Sequence, residues 1–424
     1  MSTHRPGRMS LGVFFKNTGH HIAAWRHPDA QMDAGINLRH YIECAQMSER
    51  AGLDFLFFAD SAAVRATPLA ELSRSSQYTA YFEPTTLLSA LAGATSRIGL
   101  VATATTSYNE PFNIARRFAS LDHLSAGRAA WNVVTSGNRT EAMNFGREEH
   151  YEHDVRYDRA MEFVEVVKGL WDSWDDDAFL YDREDGRFFD PAKVHTLDHK
   201  GKWFNVRGPL NVPRSPQGHP VIFQAGHSDV GRELAAATAE GIFMGHIEPE
   251  RAREHYDDIK TRMRRHGRAP DEVRMLPGAT ITCAKTDAEA KDKDDYLNSL
   301  VHPEVGRAYL TSMTGMDLSD CSVDDPLPDR PMSLQRSANV AGIIAIARKD
   351  NLTIRQLYER LAGSHGKLAL VGSVTRIADT MQRWYDMGAC DGFILQPSTM
   401  PGNLREVIEL LVPELQDQIG RAHV

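Results

Sequence analysis

A chain of 424 residues can form one large domain or two to three ordinary ones, and an α/β barrel is the usual way for a single domain to reach this size. With 42% hydrophobic and 25% charged residues it has ample apolar material for a core, while 48 basic against 57 acidic residues, a formal charge of −9, argue against broad contacts with nucleic-acid phosphates or acidic membranes. Small molecules are therefore the expected partners, and the scattered cysteines Cys44, Cys283, Cys321 and Cys390 suggest neither a zinc site nor a disulfide framework.

In chain order, the segment Met1 to Met9 is basic and polar, and the apolar run Leu11 to Phe15 that follows is too brief for a signal sequence or a membrane span. A cytoplasmic protein is expected. Short β-branched or aromatic runs then alternate with helical stretches, the pattern of parallel strands joined by crossover helices. The strands are expected at Ser10 to Phe15, Asp54 to Ala59, Ile98 to Thr106, Ala129 to Thr135, Val221 to Ala225, Ile242 to Gly245 and Leu276 to Cys283. An eighth comes late, at Gly392 to Gln396, so a closed barrel requires the chain to return after a long excursion. The helices are amphipathic: Ile114, Phe118, Leu121 and Leu124 mark one face, and Ala160, Val164, Val167, Trp171 and Trp174 another. Three stretches break the rhythm, at 62–81, 175–218 and 302–366, the last Pro-rich around Pro326, Pro328 and Pro331 before it turns helical. Long loops in a compact domain are usually lids or insertions.

Several motifs carry candidate chemistry, each beside a plainer reading. Gly226 to Arg232 follows a strand and opens a helix, so backbone N–H groups there can meet a phosphate; Arg232-Glu233 stands where a Walker loop needs Lys-Ser/Thr, which leaves a monophosphate. Alternatively, Ser228 simply caps the helix. Asp60 ends an apolar strand, where barrel enzymes keep their chemistry, or makes a turn. Thr103, Thr105, Thr106 and Tyr108 offer hydroxyls to a heteroaromatic edge, although threonine is also an ordinary strand residue. His153 and Tyr157, one helical turn apart, can grip an anion or merely start a solvated helix. His20 and His21 lie in the loop after the first strand, as candidate acids or as loop filler, and no zincin, nucleophile elbow or dinucleotide fingerprint accompanies them.

The continuous run Gly99 to Thr106, Asn113 to Ser125, Gly127-Arg128 and Trp131 to Ser136 resembles the bacterial-luciferase-like flavin monooxygenase superfamily. Within it, the branch containing nitrilotriacetate, EDTA and dibenzothiophene-sulfone monooxygenases is the nearest in pattern. Ala59-Asp60-Ser61, Phe163 to Trp174, Gln224 to Arg232 and Gly388 to Phe393 reinforce the match, which covers nearly the whole chain. The resemblance implies a single (β/α)8 TIM barrel spanning the chain, with FMN at the C-terminal ends of the strands. By similarity Asp60 and Thr106, with Thr105 as neighbour, contact the isoalloxazine end, and His153, Tyr157 and Ser228 the phosphate end.

The family further implies reduced FMN supplied by a separate NAD(P)H:FMN reductase, dioxygen as co-substrate, one oxygen atom entering a small organic substrate, and a homo-oligomer. His20, His21 and Tyr108 are candidates for the reactive face, and the stretch 62–81 or 302–366 for the lid. Arg26, Arg65 and Arg74 offer charge for an acidic substrate. Ser228 follows the fifth strand, whereas barrel phosphate sites usually follow the seventh and eighth. Two other readings remain: a flavin- or deazaflavin-dependent hydride-transfer oxidoreductase of the same superfamily, and a non-catalytic flavin-binding barrel.

Overall fold

Parallel strands covered on both faces must be apolar on both faces, and the run Phe55–Phe58 is buried at all four positions. In the computed structural model, which describes residues 7–64, 69–330 and 338–418, such runs close into an eight-stranded parallel barrel. Its strands are β1 (Ser10–Phe15), β2 (Phe55–Phe58), β3 (Gly99–Thr105), β4 (Ala129–Val134), β5 (Val221–Gln224), β6 (Gly241–Met244), β7 (Arg274–Ala284) and, after the excursion, β9 (Gly392–Pro397). Neighbours in sequence pair in space, β9 lies between β7 and β1, and pairing of Gly241 to Met244 with Arg274 to Pro277 completes the circle. All eight expected strands are present. A ninth, β8 (Leu368–Ser373), was not expected; it pairs with the C-terminal half of β7, outside the barrel.

Alternation along each strand divides two cores. Phe55, Phe57, Val101, Ala130, Phe223, Phe243, Leu276 and Ile394 fill the barrel, whereas Leu56, Phe58, Leu100, Trp131 and Ile222 face the helices. The phenyl rings need room that only glycine leaves: a Cβ on Gly12 would stand 2.2 Å from the Phe55 ring, and one on Gly241 2.5 Å from Phe223.

Around the barrel run α1 (Leu38–Arg50), α2 (Pro84–Ala92), α3 (Pro111–Leu124), α4 (His153–Trp171), α5 (Asp229–Thr238), α6 (Pro249–Arg265) and α7 (Asp287–Ser299). On α3, Ile114, Phe118 and Leu121 are buried as expected, but Leu124 is 61% exposed because the helix ends there. The stripe of α4 is buried throughout, and Trp171 donates from Nε1 to Ala115 O at 3.0 Å, tying α4 to α3. Trp174 lies past the end of α4 yet is buried, its Nε1 on Leu210 O at 2.6 Å.

The three irregular stretches differ in kind. That at 62–81 holds a short helix, Leu69–Leu72, and its residues 65–68, Arg65 among them, lie outside the described residues. The stretch at 175–218 makes two small antiparallel hairpins. That at 302–366 is more helical than expected: α8 (Pro303–Thr314) precedes the Pro-rich segment, α9 (Ala338–Lys349) and α10 (Ile354–Ala362) follow it, and Pro331 is outside the described residues. Tyr309, Leu310, Ile354, Leu357 and Tyr358 build a small core of its own, into which Ile22 and Ala23 from the β1 loop insert. The last crossover helix, α11 (Val374–Asp386), leads from β8 to β9. Among the described residues, no helix is long and apolar enough to cross a membrane.

Candidate active site

Two cavities open side by side at the C-terminal ends of the strands, where a barrel keeps its chemistry. The first, about 350 Å³, lies over β2 to β5 and the start of α4, and is lined by Asp60, Thr103, Thr105, Ser136, Glu141, His153, Arg156, Tyr157, Gln224 and Gly226. The second, about 220 Å³, lies over β1, β2 and β9. Tyr81 belongs to the partition between them: it lines the second cavity, while its hydroxyl donates to Ser61 O at 2.7 Å and reaches Asp60 Oδ1 at 3.4 Å.

At the β2 end of the first cavity the groups are acidic and hydroxylic. Burial, then the like charges of Glu83 and Glu141, push the Asp60 carboxyl up to about 6. Glu83 is engaged in capping α2, accepting from Thr85 N and Thr86 N, and Glu141 accepts from Ser61 Oγ at 2.8 Å and Ser136 Oγ at 2.5 Å. The Ser136 hydroxyl also stands 2.7 Å from Thr105 Oγ1. Asp60 makes no ion pair among the described residues, so no paired cation offsets the upward shift that burial and these two carboxylates impose.

The α4 end has the opposite character. Glu152 at the N-cap makes no side-chain bond to the first turn of α4, so the free N–H groups and the positive helix terminus are available to an anion. His153, Arg156 and Tyr157 stand on that turn. The Arg156 guanidinium donates to Ser136 O, and its buried Nε has no partner among the described residues. A Cβ on Gly226 would come within 3.1 Å of the Tyr157 hydroxyl and 2.9 Å of Gly231 Cα, and one on Gly231 within 3.1 Å of the same hydroxyl. The Gly226–Gly231 turn therefore presses its backbone against Tyr157, which sequence spacing alone left undecided. Ser228 does cap α5, its Oγ accepting from Gly231 N at 3.2 Å. The strand count also stands, since Ser228 follows the fifth strand.

The second cavity is bounded by Phe14, Lys16, His20, Tyr78, His365 and Lys367 among others, and no aspartate or glutamate lines it. Burial lowers the Lys367 ammonium, which lies 4.8 Å from the Phe243 ring centre and pairs with no carboxylate among the described residues. Burial and the neighbouring lysines hold His20 and His365 well below the ordinary histidine value, so both rings are neutral. The network fixes their tautomers. His20 Nε2 donates to Phe14 O at 3.2 Å, leaving the lone pair on Nδ1; His365 Nε2 donates to His20 O at 2.7 Å and its Nδ1 accepts from Tyr309 at 3.0 Å.

Of the residues singled out in the sequence, Asp60, His153 and Tyr157 line the first cavity and Ser228 adjoins it. Thr106 sits behind the wall, 1% exposed, its amide and hydroxyl both on Val134 O, while Thr105 takes the lining position. His20 lines the second cavity, whereas His21 turns away and bonds Asn298 Oδ1 at 2.9 Å. Tyr108 stands beyond both, its hydroxyl on His150 Nδ1 and its ring stacked on Phe145 at 5.0 Å. Of the arginines offered for an acidic substrate, Arg26 donates to Leu300 O and Arg74 pairs with Glu304 at 2.9 Å, both as braces, and Arg65 lies outside the described residues. Arg156, Ser136, Glu141, Tyr81, Lys16 and Lys367 were not picked out. For Thr103 and Thr105 a signal existed, because they share strand parity with the inward-facing Val101.

Residues 17–390 match the model of a family described as luciferase-like monooxygenase. Among curated proteins, N-acetyl-S-(2-succino)cysteine monooxygenase of Bacillus subtilis (strain 168) is 48% identical over 419 residues, 98% of this chain and 94% of the relative. Nitrilotriacetate monooxygenase component A of Aminobacter aminovorans is 45% identical over 417 residues, 96% and 92% of the two chains. Among solved structures, that of DmoA from Hyphomicrobium sulfonivorans is similar with a TM-score of 0.89 at 32% identity, covering 98% of this chain and 90% of its own.

Proposed function

The chain belongs to the luciferase-like monooxygenase family and is a flavin-dependent monooxygenase; on that premise we propose that it is the oxygenase component of a two-component system, taking reduced FMN as a diffusible co-substrate from a separate NAD(P)H:FMN reductase. The observation that carries this reading is the pairing of the two cavities, one with an anion-accepting end and the other with a cationic, acid-free wall, across a partition of Asp60 and Tyr81.

The residues present fit FMN. The uncapped first turn of α4, the orphaned Arg156 Nε, His153 and Tyr157 form the phosphate end, and Ser228 holds the turn that presses on Tyr157. Asp60, Thr105 and Ser136 face the ring end. Bound FMN supplies the activation of dioxygen, which no side chain can perform. The chain's own residues orient the substrate, exclude water and handle protons. Neutral His20 offers Nδ1 as proton acceptor on the substrate side. The stretch 62–81 closes the second cavity with Ser76, Gln77, Tyr78 and Tyr81, and the excursion 302–366 braces it through the Arg74–Glu304 pair.

Lys16 and Lys367 favour a small substrate bearing carboxylates, a chemistry shared by the compounds for which the two curated relatives are named. A cytoplasmic homo-oligomer completes the reading. The test is oxygen uptake by purified protein with NADH, FMN, an unrelated flavin reductase and a panel of amine- and thioether-linked polycarboxylates, with sulfones as contrast. Substrate-dependent uptake that stops without the reductase supports the proposal. Anaerobic turnover favours hydride transfer, and FMN binding without any turnover favours a non-catalytic barrel.

A further inference from the structure

Beside the two cavities, three histidines converge on the same face of the barrel. His227 lies in the turn after β5, His246 just past β6, and His255 within α6. Their ring centres are 5.1 to 5.8 Å apart, and one nitrogen from each comes within 4.8 Å of the other two. His255 is 1% exposed, and its Nε2 has no hydrogen-bond partner among the described residues. A buried ring nitrogen without a partner costs free energy unless something supplies one. His246 Nε2 and His255 Nδ1 lie 2.9 Å apart with one proton between them.

We propose that His227, His246 and His255 form a binding site for a divalent transition-metal ion of the zinc type, with a fourth coordination position open to solvent or to an anion. Three imidazoles select zinc, copper, nickel or cobalt over magnesium and calcium, which require oxygen ligands. With metal–nitrogen bonds of about 2.0–2.1 Å, tetrahedral ligand nitrogens sit about 3.3 Å apart. The nitrogens lie within 4.8 Å of one another, so the widest pair has to close by up to about 1.5 Å to reach that spacing. Coordination by both His246 and His255 replaces the hydrogen bond between them: each ring binds through the nitrogen that carries its lone pair and keeps its one proton on the nitrogen turned away from the ion, so both coordinate as neutral imidazoles.

The surrounding charges fit an open fourth position. Arg232 is already paired with Asp258 at 2.9 Å and bonded to His227 O at 3.1 Å, while Arg251 pairs with Glu254 at 3.1 Å. Lys367 lies beyond Gly245, on the side where a Cβ would meet both its side chain and His227 Nε2 at 3.6 Å. With both arginines already paired to carboxylates, Lys367 supplies the remaining positive charge near the cluster, which favours an anion such as hydroxide, phosphate or a carboxylate as the fourth ligand. His227 immediately precedes Ser228, so a bound ion ties the turn beside the flavin cradle to β6 and α6.

The site is tested with untagged, chelator-dialysed protein titrated with zinc against a chromogenic chelator and, separately, with cobalt(II). One equivalent of zinc and the intense visible band of four-coordinate cobalt are expected. His246→Ala should abolish both, and His227→Gln, at the rim of the cluster, should weaken zinc binding at least tenfold. Less than stoichiometric binding by the wild-type protein overturns the proposal. So does zinc affinity unchanged in His227→Gln and His246→Ala, with circular dichroism confirming that both variants fold.

Discussion

Replacing Arg156 with methionine removes the one guanidinium that lines the first cavity, the proposed flavin site, among the described residues while keeping much of its apolar stem. In the free protein this group donates to Ser136 O, and its buried Nε has no partner among the described residues. If that N–H meets the phosphate, the substitution loses a charge-assisted contact worth roughly 1.5–3 kcal/mol. The affinity for FMN should then fall about 10- to 150-fold at 1.4 kcal/mol per tenfold. Riboflavin differs from FMN only in lacking the phosphate, so its affinity should change little. The informative quantity is therefore the ratio of the two dissociation constants, measured by flavin fluorescence titration at fixed salt, because a general loss of stability cancels from it. Arg156→Lys should recover part of the preference, since the charge survives but the planar fork does not. Equal weakening of FMN and riboflavin, or no change in either, would refute the assignment of this end of the cavity to phosphate.

The Ser228→Ala variant removes the α5 cap and should lower stability by about 1 kcal/mol, seen as a lower thermal midpoint; an unchanged midpoint means that the cap contributes nothing. For Asp60 the sign follows from a folded-state value of about 6 against 3.8 for the free group: stability conferred by the protonated form is complete below the lower value and lost as pH rises through the upper. Urea denaturation should show Asp60→Asn gaining about 1 kcal/mol over wild type between pH 5 and pH 7.5, and a gain that shrinks with pH contradicts the reasoning. The Tyr81→Phe substitution deletes the bond to Ser61 O, about 1 kcal/mol of closure, and should raise hydrogen peroxide release per NADH consumed while FMN affinity stays within about twofold. Unaltered coupling would show that Tyr81 does not seal the partition.

The barrel was legible because parallel strands between two apolar layers announce themselves as short buried runs, and each of the eight lay within a few residues of its expected bounds. The strand β8 was not, since its place depends on pairing with the far half of β7, a contact between distant segments. Asp60, His153, Tyr157 and Ser228 stand at strand ends or helix starts, which marked them as candidates, but position left a turn, a cap or a solvated helix start equally open, and only the family resemblance assigned them to a flavin site. The choice between Thr105 and Thr106 was decidable from strand parity with Val101, whereas the roles of Arg26 and Arg74 were not, because a brace and a pocket residue look alike in sequence. Tyr81, Lys16 and Lys367 gain meaning only when β1, β9 and the stretch 62–81 enclose one cavity. The histidines at 227, 246 and 255 match no ligand spacing, as they meet only through the β5, β6 and α6 packing.

Oxygen transfer by this barrel with FMN supplied from outside can be followed under ¹⁸O₂. The purified protein, an unrelated reductase, FMN and NADH are incubated with the polycarboxylate panel, and products are analysed by mass spectrometry. One labelled oxygen atom in a product, dependent on both protein and reductase, is the predicted result. Products that form equally well without dioxygen, or that carry no label, would contradict it.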